Sequence, residues 1–294
     1  MDYVPAKYIV AQVKKHNWFG INYNMNIYRG CSHGCIYCDS RSLCFKIENF
    51  DKIRAKQDAL KIIRDDLLKK TKRGVIGMGA MSDPYNPMEK ELKLTGNSLE
   101  LLNAYRFGVS ITTKSPLVCR DISVLKDIQA HSPVLVKLTI TTNDDALCKV
   151  VEPNAPLSSE RFAALKTLSD NGVYTGVFMM PLLPFIEDTA ENVVGIARRA
   201  KEAGARFVYP AFGMTMRAGS REYYYEKLDE HFPGLKEKYV KKYGERYNCA
   251  VPRVKSLWNA FAGECQRLGL RYEMRDITID YKRGYTAKRL NLFD

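Results

Sequence analysis

Long hydrophobic runs are absent from this chain: no stretch approaches the roughly 18 consecutive apolar residues that a membrane-spanning helix needs. Paired cysteines are missing too. Of the eight cysteines, at positions 31, 35, 38, 44, 119, 148, 249 and 265, none beyond the first three shows a pairing pattern. That leaves no disulfide framework and no second half for a zinc ribbon or finger. No secretory signal, internal repeat or low-complexity segment is evident, so a cytoplasmic location is expected, with no membrane partner. Acidic charge is scarce: 33 Asp and Glu face 46 Lys and Arg, a net charge of +13. Such a surplus favours polyanions, nucleic acid first. Residues 217–294 alone hold 17 Lys/Arg against 11 Asp/Glu, together with nine of the 18 tyrosines.

What is present is a run with three closely spaced cysteines, Arg29-Gly30-Cys31-Ser32-His33-Gly34-Cys35-Ile36-Tyr37-Cys38. Offsets of four and three residues let a short loop wrap three sulfurs around one corner of a cube, and Gly30 and Gly34 permit its tight turns. Three thiolates hold three irons of a [4Fe–4S] cluster and leave the fourth iron open to a ligand. A zinc site on the same residues would need a fourth ligand, for which Cys44 or His33 would serve. The remaining cysteines read as small buried apolar residues.

Ile21, Tyr23, Met25 and Ile27 alternate with Asn22, Asn24 and Asn26, which predicts a strand delivering the chain into the cysteine loop after a lead-in of little periodicity. Residues 51–70 read as a helix. Strands are then expected at 75–80, 109–113, 134–141, 173–180 and 206–209. Helices are expected at 95–106, capped by Thr95, at 120–130, from Ser158 to the Asn171-Gly172 stop, and at 187–203. Six βα units with short connections predict an α/β fold with a parallel sheet and helices outside. Beyond residue 215 the alternation breaks, and helices are expected at 221–243, interrupted at Pro233-Gly234, and at 256–268.

The CxxxCxxC run, with an aromatic residue before its third sulfur, resembles that of the radical S-adenosylmethionine (SAM) enzymes. The resemblance implies a [4Fe–4S] cluster on Cys31, Cys35 and Cys38, with SAM filling the open position through its amino and carboxylate groups. It implies reductive cleavage of SAM to a 5′-deoxyadenosyl radical, with an electron donor such as flavodoxin or ferredoxin. The fold it implies is a partial (β/α)6 TIM-like barrel of the radical SAM type with a C-terminal helical extension. The barrel would occupy residues 21–214, after the lead-in 1–20 and before the basic, tyrosine-rich extension 215–294. Chemistry in such barrels sits in loops at the C-terminal strand ends.

Further runs resemble the spore photoproduct lyase family within that superfamily. They are Gly79-Ala80-Met81-Ser82-Asp83-Pro84-Tyr85, Thr112-Thr113-Lys114-Ser115, Leu138-Thr139-Ile140-Thr141, and Glu152-Pro153 followed by Arg161. By this resemblance Tyr37 lies against the SAM adenine and Lys114 approaches its carboxylate. Thr139 and Thr141 supply hydroxyl donors, and Ser82 and Asp83 occupy the loop that takes the amino group. Arg161 either reaches a SAM carboxylate or pairs with Glu152. Two positions depart from the pattern: Ala80 stands where those lyases carry a hydrogen-donating cysteine, and Asp39 where they carry a tyrosine. An alanine returns no hydrogen atom to a product radical, so completion of spore photoproduct repair by that route is not expected. Candidate hydrogen donors in its place are Cys44, Cys119, Cys148 and Tyr37.

The expected function is a lyase-like radical SAM enzyme that abstracts a hydrogen atom from a nucleic-acid or nucleotide substrate. Arg217, Arg221 and Tyr223-Tyr224-Tyr225 would help form an anionic-substrate groove, stacking on bases at about 1–3 kcal/mol each. The competing account of the tyrosine run is an amphipathic helix packed on the barrel. Alternatives for the whole chain are radical SAM modification of a peptide or small metabolite and, more distantly, a zinc-stabilised nucleic-acid-binding protein.

Overall fold

The computed structural model describes residues 2–14 and 18–285. Its centre is a seven-stranded sheet in which six strands run parallel and lie side by side in chain order. We label these barrel strands β1 (Tyr23–Met25), β2 (Val75–Met78), β3 (Gly108–Thr113), β4 (Val134–Thr139), β5 (Thr175–Met179) and β6 (Val208–Pro210). They are the six expected units. The seventh strand, Val10–Gln12, joins β1 antiparallel, so part of the lead-in forms a sheet edge.

Period-2 side-chain alternation sorts each strand between two cores. Tyr23 and Met25, Val109 and Ile111, Val136 and Leu138, and Val177 and Met179 face the main core, shared with the helices Leu94–Ala104, Ile122–Gln129, Ser158–Asp170 and Ala190–Glu202. Val75, Leu135, Phe178 and Phe207 join a second, aromatic-rich cluster. The helix Met274–Tyr281 closes this cluster with Ile277 and Tyr281, whose hydroxyl donates to the Phe19 carbonyl at 2.6 Å. At the end of β2, Gly79 adopts a φ of +92°, and a Cβ there would lie 2.0 Å from the Thr112 carbonyl oxygen. Only glycine lets the chain leave β2 this close to β3.

Three local expectations are corrected. The helix expected over 51–70 begins only at Ala59, because Arg54–Lys56 pairs with Tyr3–Val4 and Tyr28–Arg29 in a small second sheet. Thr95 is not a cap: its helix starts at Leu94 with Lys93 at the N-cap, and the Thr95 hydroxyl donates to the Pro84 carbonyl at 2.6 Å. The extension contains the helices Ser220–His231, Leu235–Tyr243 and Val254–Leu268. It also holds a strand pair, Gly213–Thr215 with Asn248–Ala250, that the sequence pattern does not announce.

Lys137 on β4 is buried, with Nζ 2.5 Å from Ser110 Oγ on β3 and 4.6 Å from the Phe19 ring centroid. Burial pushes its amine down from 10.5 to about 7. Between those values the unfolded chain binds more protons than the folded one, so this contribution to stability improves as pH rises from about 7. Lys137→Met is therefore expected to raise the melting temperature more at about pH 6 than at about pH 9. Equal shifts in calorimetry at both pH values would show that the amine does not titrate in this range.

Candidate active site

β1 runs on through Tyr28–Arg29 into the cysteine loop, which is held from two sides. The Cys31 N–H donates to the Phe50 carbonyl at 2.9 Å, and the Ile36 N–H to the Val151 carbonyl at 3.0 Å. The Asn154 N–H donates to the His33 carbonyl at 3.1 Å. Cys35 is buried, and Cys31 and Cys38 are half-buried. Burial raises all three thiols above their ordinary value. Several groups oppose it: the N–H groups of His33 and Asp83 at Cys31, the Lys114 ammonium at Cys35, and the Ser40 N–H at Cys38. N–H groups directed at thiolate sulfur, with a cation close by, suit a cluster whose properties depend on hydrogen bonds to its sulfurs. The loop thus fits a [4Fe–4S] group. Among the described residues no three His, Cys, Asp or Glu side chains converge on a single point. A cubane takes one sulfur per iron, so its ligands stand around it rather than meet.

Behind the loop lies a buried ion network centred on Glu152, which follows the helix Asp145–Val151. Its carboxylate pairs with Arg161, accepts the Tyr37 hydroxyl, and lies 3.8 Å from Lys114 Nζ. Arg161 is 0% exposed and also donates to the carbonyls of Pro156 at 2.8 Å and Thr139 at 2.9 Å. Burial would raise the Glu152 carboxyl, but the charges of Arg161 and Lys114 hold it below its ordinary range. Burial would likewise lower the Lys114 amine, and the Cys35 thiolate and Glu152 more than compensate. Of the two roles expected for Arg161, the geometry shows the pairing with Glu152.

Asp83 ties three segments together. Its carboxylate accepts from Thr113 Oγ1 at 2.6 Å, from the Tyr85 N–H at 2.9 Å and from the Lys114 N–H at 2.8 Å, and His33 Nδ1 stands 3.6 Å away. Ser82 Oγ donates to the Tyr28 carbonyl at 3.3 Å. Thr139 is buried, and Thr141 Oγ1 donates to Glu187 at 2.7 Å. Glu187 is itself buried, which pushes its carboxyl up to about 8 despite donors from the Leu183 N–H and Thr141. Nothing in the sequence singles out Glu187. Glu152 carries the Glu-Pro signal, which does not reveal that it is a hub.

A cavity of about 510 Å3 opens between the cysteine loop and the strand pair of the extension. Tyr37 and Cys38 line one side, Ala80, Met81 and Phe178 the barrel side, and Met214 and Cys249 the far side. Ser82, Asp83, Lys114, Thr139, Thr141 and Arg161 are not on this wall. Among the candidate hydrogen donors, Tyr37 lines it and the three cysteines do not. Cys44 is exposed beside Arg217, Cys119 contacts the Ala164 carbonyl, and Cys148 lies between Arg161 and Glu152. Cys249 is the non-cluster thiol residue that does line the cavity.

Parts of the expected substrate groove pack instead. Tyr224 is fully buried with its hydroxyl 2.9 Å from that of Tyr239, and the Arg221 guanidinium is spent on Glu245 and the carbonyls of Met216 and Arg246. Arg217 stays accessible, donating to the Tyr247 hydroxyl at 2.7 Å.

Fold and site together define an open parallel barrel with a three-cysteine loop at the C-terminal side of its first strand, the side on which barrels of this kind place their active sites. The model of the Radical SAM superfamily matches residues 25–197, and the chain belongs to that superfamily. Membership implies an enzyme that uses SAM and a [4Fe–4S] cluster. An uncharacterized protein of Methanocaldococcus jannaschii is 37% identical over 176 residues, covering 60% of this chain and 66% of that one. An uncharacterized protein of Mycobacterium tuberculosis is 28% identical over 228 residues, covering 75% and 67%. The chain thus spans about two-thirds of the length of these relatives. Among solved structures, a spore photoproduct lyase mutant with bound AdoMet and dinucleoside spore photoproduct superposes with a TM-score of 0.66 at 13% identity, over 92% of this chain and 82% of that one. The radical SAM methyltransferase TsrM of Kitasatospora setae gives 0.53 at 10% identity, over 83% and 51%. These likenesses are likenesses of fold. Among the described residues no helix is long and apolar enough to cross a membrane.

Proposed function

We propose that the protein is a radical SAM enzyme that abstracts a hydrogen atom from a nucleic-acid or nucleotide substrate. The observation that carries this is the cysteine loop itself, with thiols served by backbone N–H groups and Cys38 on the wall of the cavity. Cys31, Cys35 and Cys38 would hold the cluster, which with SAM supplies a 5′-deoxyadenosyl radical after one-electron reduction. Tyr37 lines the cavity, where it would lie against adenine, and its hydroxyl is held by the buried Glu152. Lys114, kept cationic by Cys35 and Glu152, would attract the carboxylate of SAM. Ser82 and Asp83 order the loop that carries Ala80 and Met81 to the wall. Phe178, Met180 and Met214 give the cavity an apolar side, and Asp39, Ser40, Thr215 and Asn248 give it polar groups.

The substrate class rests on the +13 charge and on Arg217 beside Tyr247. The cavity falls within the range of small-molecule sites, about 300–1,000 Å3, so a polymer would present a single unit to it. Ala80 on the wall returns no hydrogen, so the reaction ends differently from spore photoproduct repair.

Anaerobic reconstitution with iron and sulfide, reduction with dithionite and chromatography for 5′-deoxyadenosine test this, with and without ultraviolet-irradiated and intact DNA. Cluster-dependent 5′-deoxyadenosine, stimulated by either nucleic acid, is the expected result. Stimulation only by peptides or small metabolites would overturn the substrate class. Tight zinc with no iron uptake would overturn the chemistry.

A further inference from the structure

One strongly charged surface takes no part in the cavity. In the small second sheet Arg29 stands directly across from Arg54, and like charges so placed weaken a ladder. Neither finds a carboxylate among the described residues: Arg29 donates to the Lys46 carbonyl at 2.5 Å and Arg54 to the Glu48 carbonyl at 2.6 Å. Burial and the Arg29 charge together lower the Lys56 amine on the same sheet. Lys46 and Lys52 are exposed on the adjoining segment. Of the acids nearby, Asp51 pairs with Arg41 and Asp2 with Lys52, and Glu48 is exposed on the same segment. Positive charge is gathered here at a cost to the local fold.

Position tells what the charge serves. The Phe50 carbonyl accepts the Cys31 N–H at 2.9 Å, and the Phe50 and Lys52 carbonyls abut Gly30 so closely that a Cβ would lie 2.6 Å from each. The segment bearing these cations is thus one hydrogen bond from a cluster cysteine, with no side chain between. None of Arg29, Lys46, Lys52, Arg54 and Lys56 lines the cavity. These cations lie off the cavity wall, which reaches this segment at Phe45, whereas an electron has only a short backbone path to cross.

We propose that this surface docks a small acidic one-electron carrier protein. The proposal rests on the function above, in which one-electron reduction starts the chemistry. The carrier is oxidised by one electron, the centre held by Cys31, Cys35 and Cys38 is reduced by that electron, and no bond or proton changes place. Charge complementarity selects the carrier and speeds its arrival, an effect that reaches about 10- to 1,000-fold and fades with salt.

Reduced flavodoxin is the probe, with reconstituted holoprotein under anaerobic conditions. Binding is read by calorimetry, and reduction by stopped-flow bleaching of the cluster absorbance. The double variant Lys46→Glu/Lys52→Glu is expected to weaken flavodoxin binding and slow flavodoxin-driven bleaching about tenfold or more at low salt. Dithionite-driven bleaching is expected to keep its rate, as are both rates in Lys241→Glu/Lys242→Glu on the helix Leu235–Tyr243. Unchanged flavodoxin kinetics in the first variant, or equal slowing in the second, overturns the docking surface. So does loss of duplex-DNA binding in the first variant with flavodoxin binding intact. A holoprotein that flavodoxin and dithionite both reduce but that yields no 5′-deoxyadenosine overturns the function above and leaves the docking surface standing. Failure to take up iron overturns both.

Discussion

Cys35→Ala is expected to abolish SAM cleavage, by at least about 1,000-fold, because the radical chemistry belongs to the cofactor and no side chain substitutes for it. Cys35 is the most buried of the three thiols and packs with Ile36, Tyr37 and Val151. Its removal leaves a small void costing about 1 kcal/mol, too little to unfold the chain. Loss of iron and loss of turnover should therefore appear in a protein with near-native circular dichroism. Cys119→Ala is the matched control, since that thiol lies away from the cavity, packing on the main core with its sulfur 3.5 Å from the Ala164 carbonyl. It should keep its iron, its visible absorbance and its 5′-deoxyadenosine yield. Wild-type iron content in Cys35→Ala would remove this residue from the cluster.

The contrast proposed between these cysteines rests on the sequence, because a cube corner demands sulfurs a few residues apart and such spacing is a local imprint. The barrel strands were legible for a similar reason. Tyr23 and Met25 face the helices while Asn22 and Asn24 do not, and that alternation is written residue by residue. Features made by distant segments leave no such imprint. Thr95 looks like a helix cap, yet the Glu89 carboxylate takes the Thr95 N–H at 3.0 Å and the Gly96 N–H at 3.3 Å, doing from outside what a cap does locally. Arg221 looks like a free cation until Glu245 folds back onto it. The strand Asn248–Ala250 is only three residues long, and its identity comes from pairing with Gly213–Thr215 rather than from any periodicity. Glu152, Lys114 and Arg161 are each ordinary in sequence. Their meaning arises where the segments after β3 and β4 meet the cysteine loop.

That meeting point carries the largest expected effect on stability. Arg161→Met should destabilise the protein by about 3–5 kcal/mol, the usual cost of breaking a buried ion pair by removing one partner. Arg161 and Glu152 are essentially without solvent contact, so Glu152 would keep Lys114 at 3.8 Å as its remaining cation, besides the Tyr37 hydroxyl and the Cys148 thiol. In the wild type the carboxyl is held below its ordinary 4.5, so its pairing contributes stability above that value and loses it as pH falls. In the variant burial is less opposed and the carboxyl rises, so the penalty should be larger at about pH 8 than at about pH 5. The double variant Arg161→Met/Glu152→Gln removes both charges and should recover much of the loss, which urea denaturation of the two variants at both pH values would measure. A double variant no more stable than Arg161→Met, with a penalty flat in pH, would show that the two groups are not coupled. Because the Val151 carbonyl next to Glu152 holds the Ile36 N–H, loosening this network should also lower iron occupancy in Arg161→Met. The same ion pair thereby links the stability of the barrel to the shape of the loop on which the proposed chemistry depends.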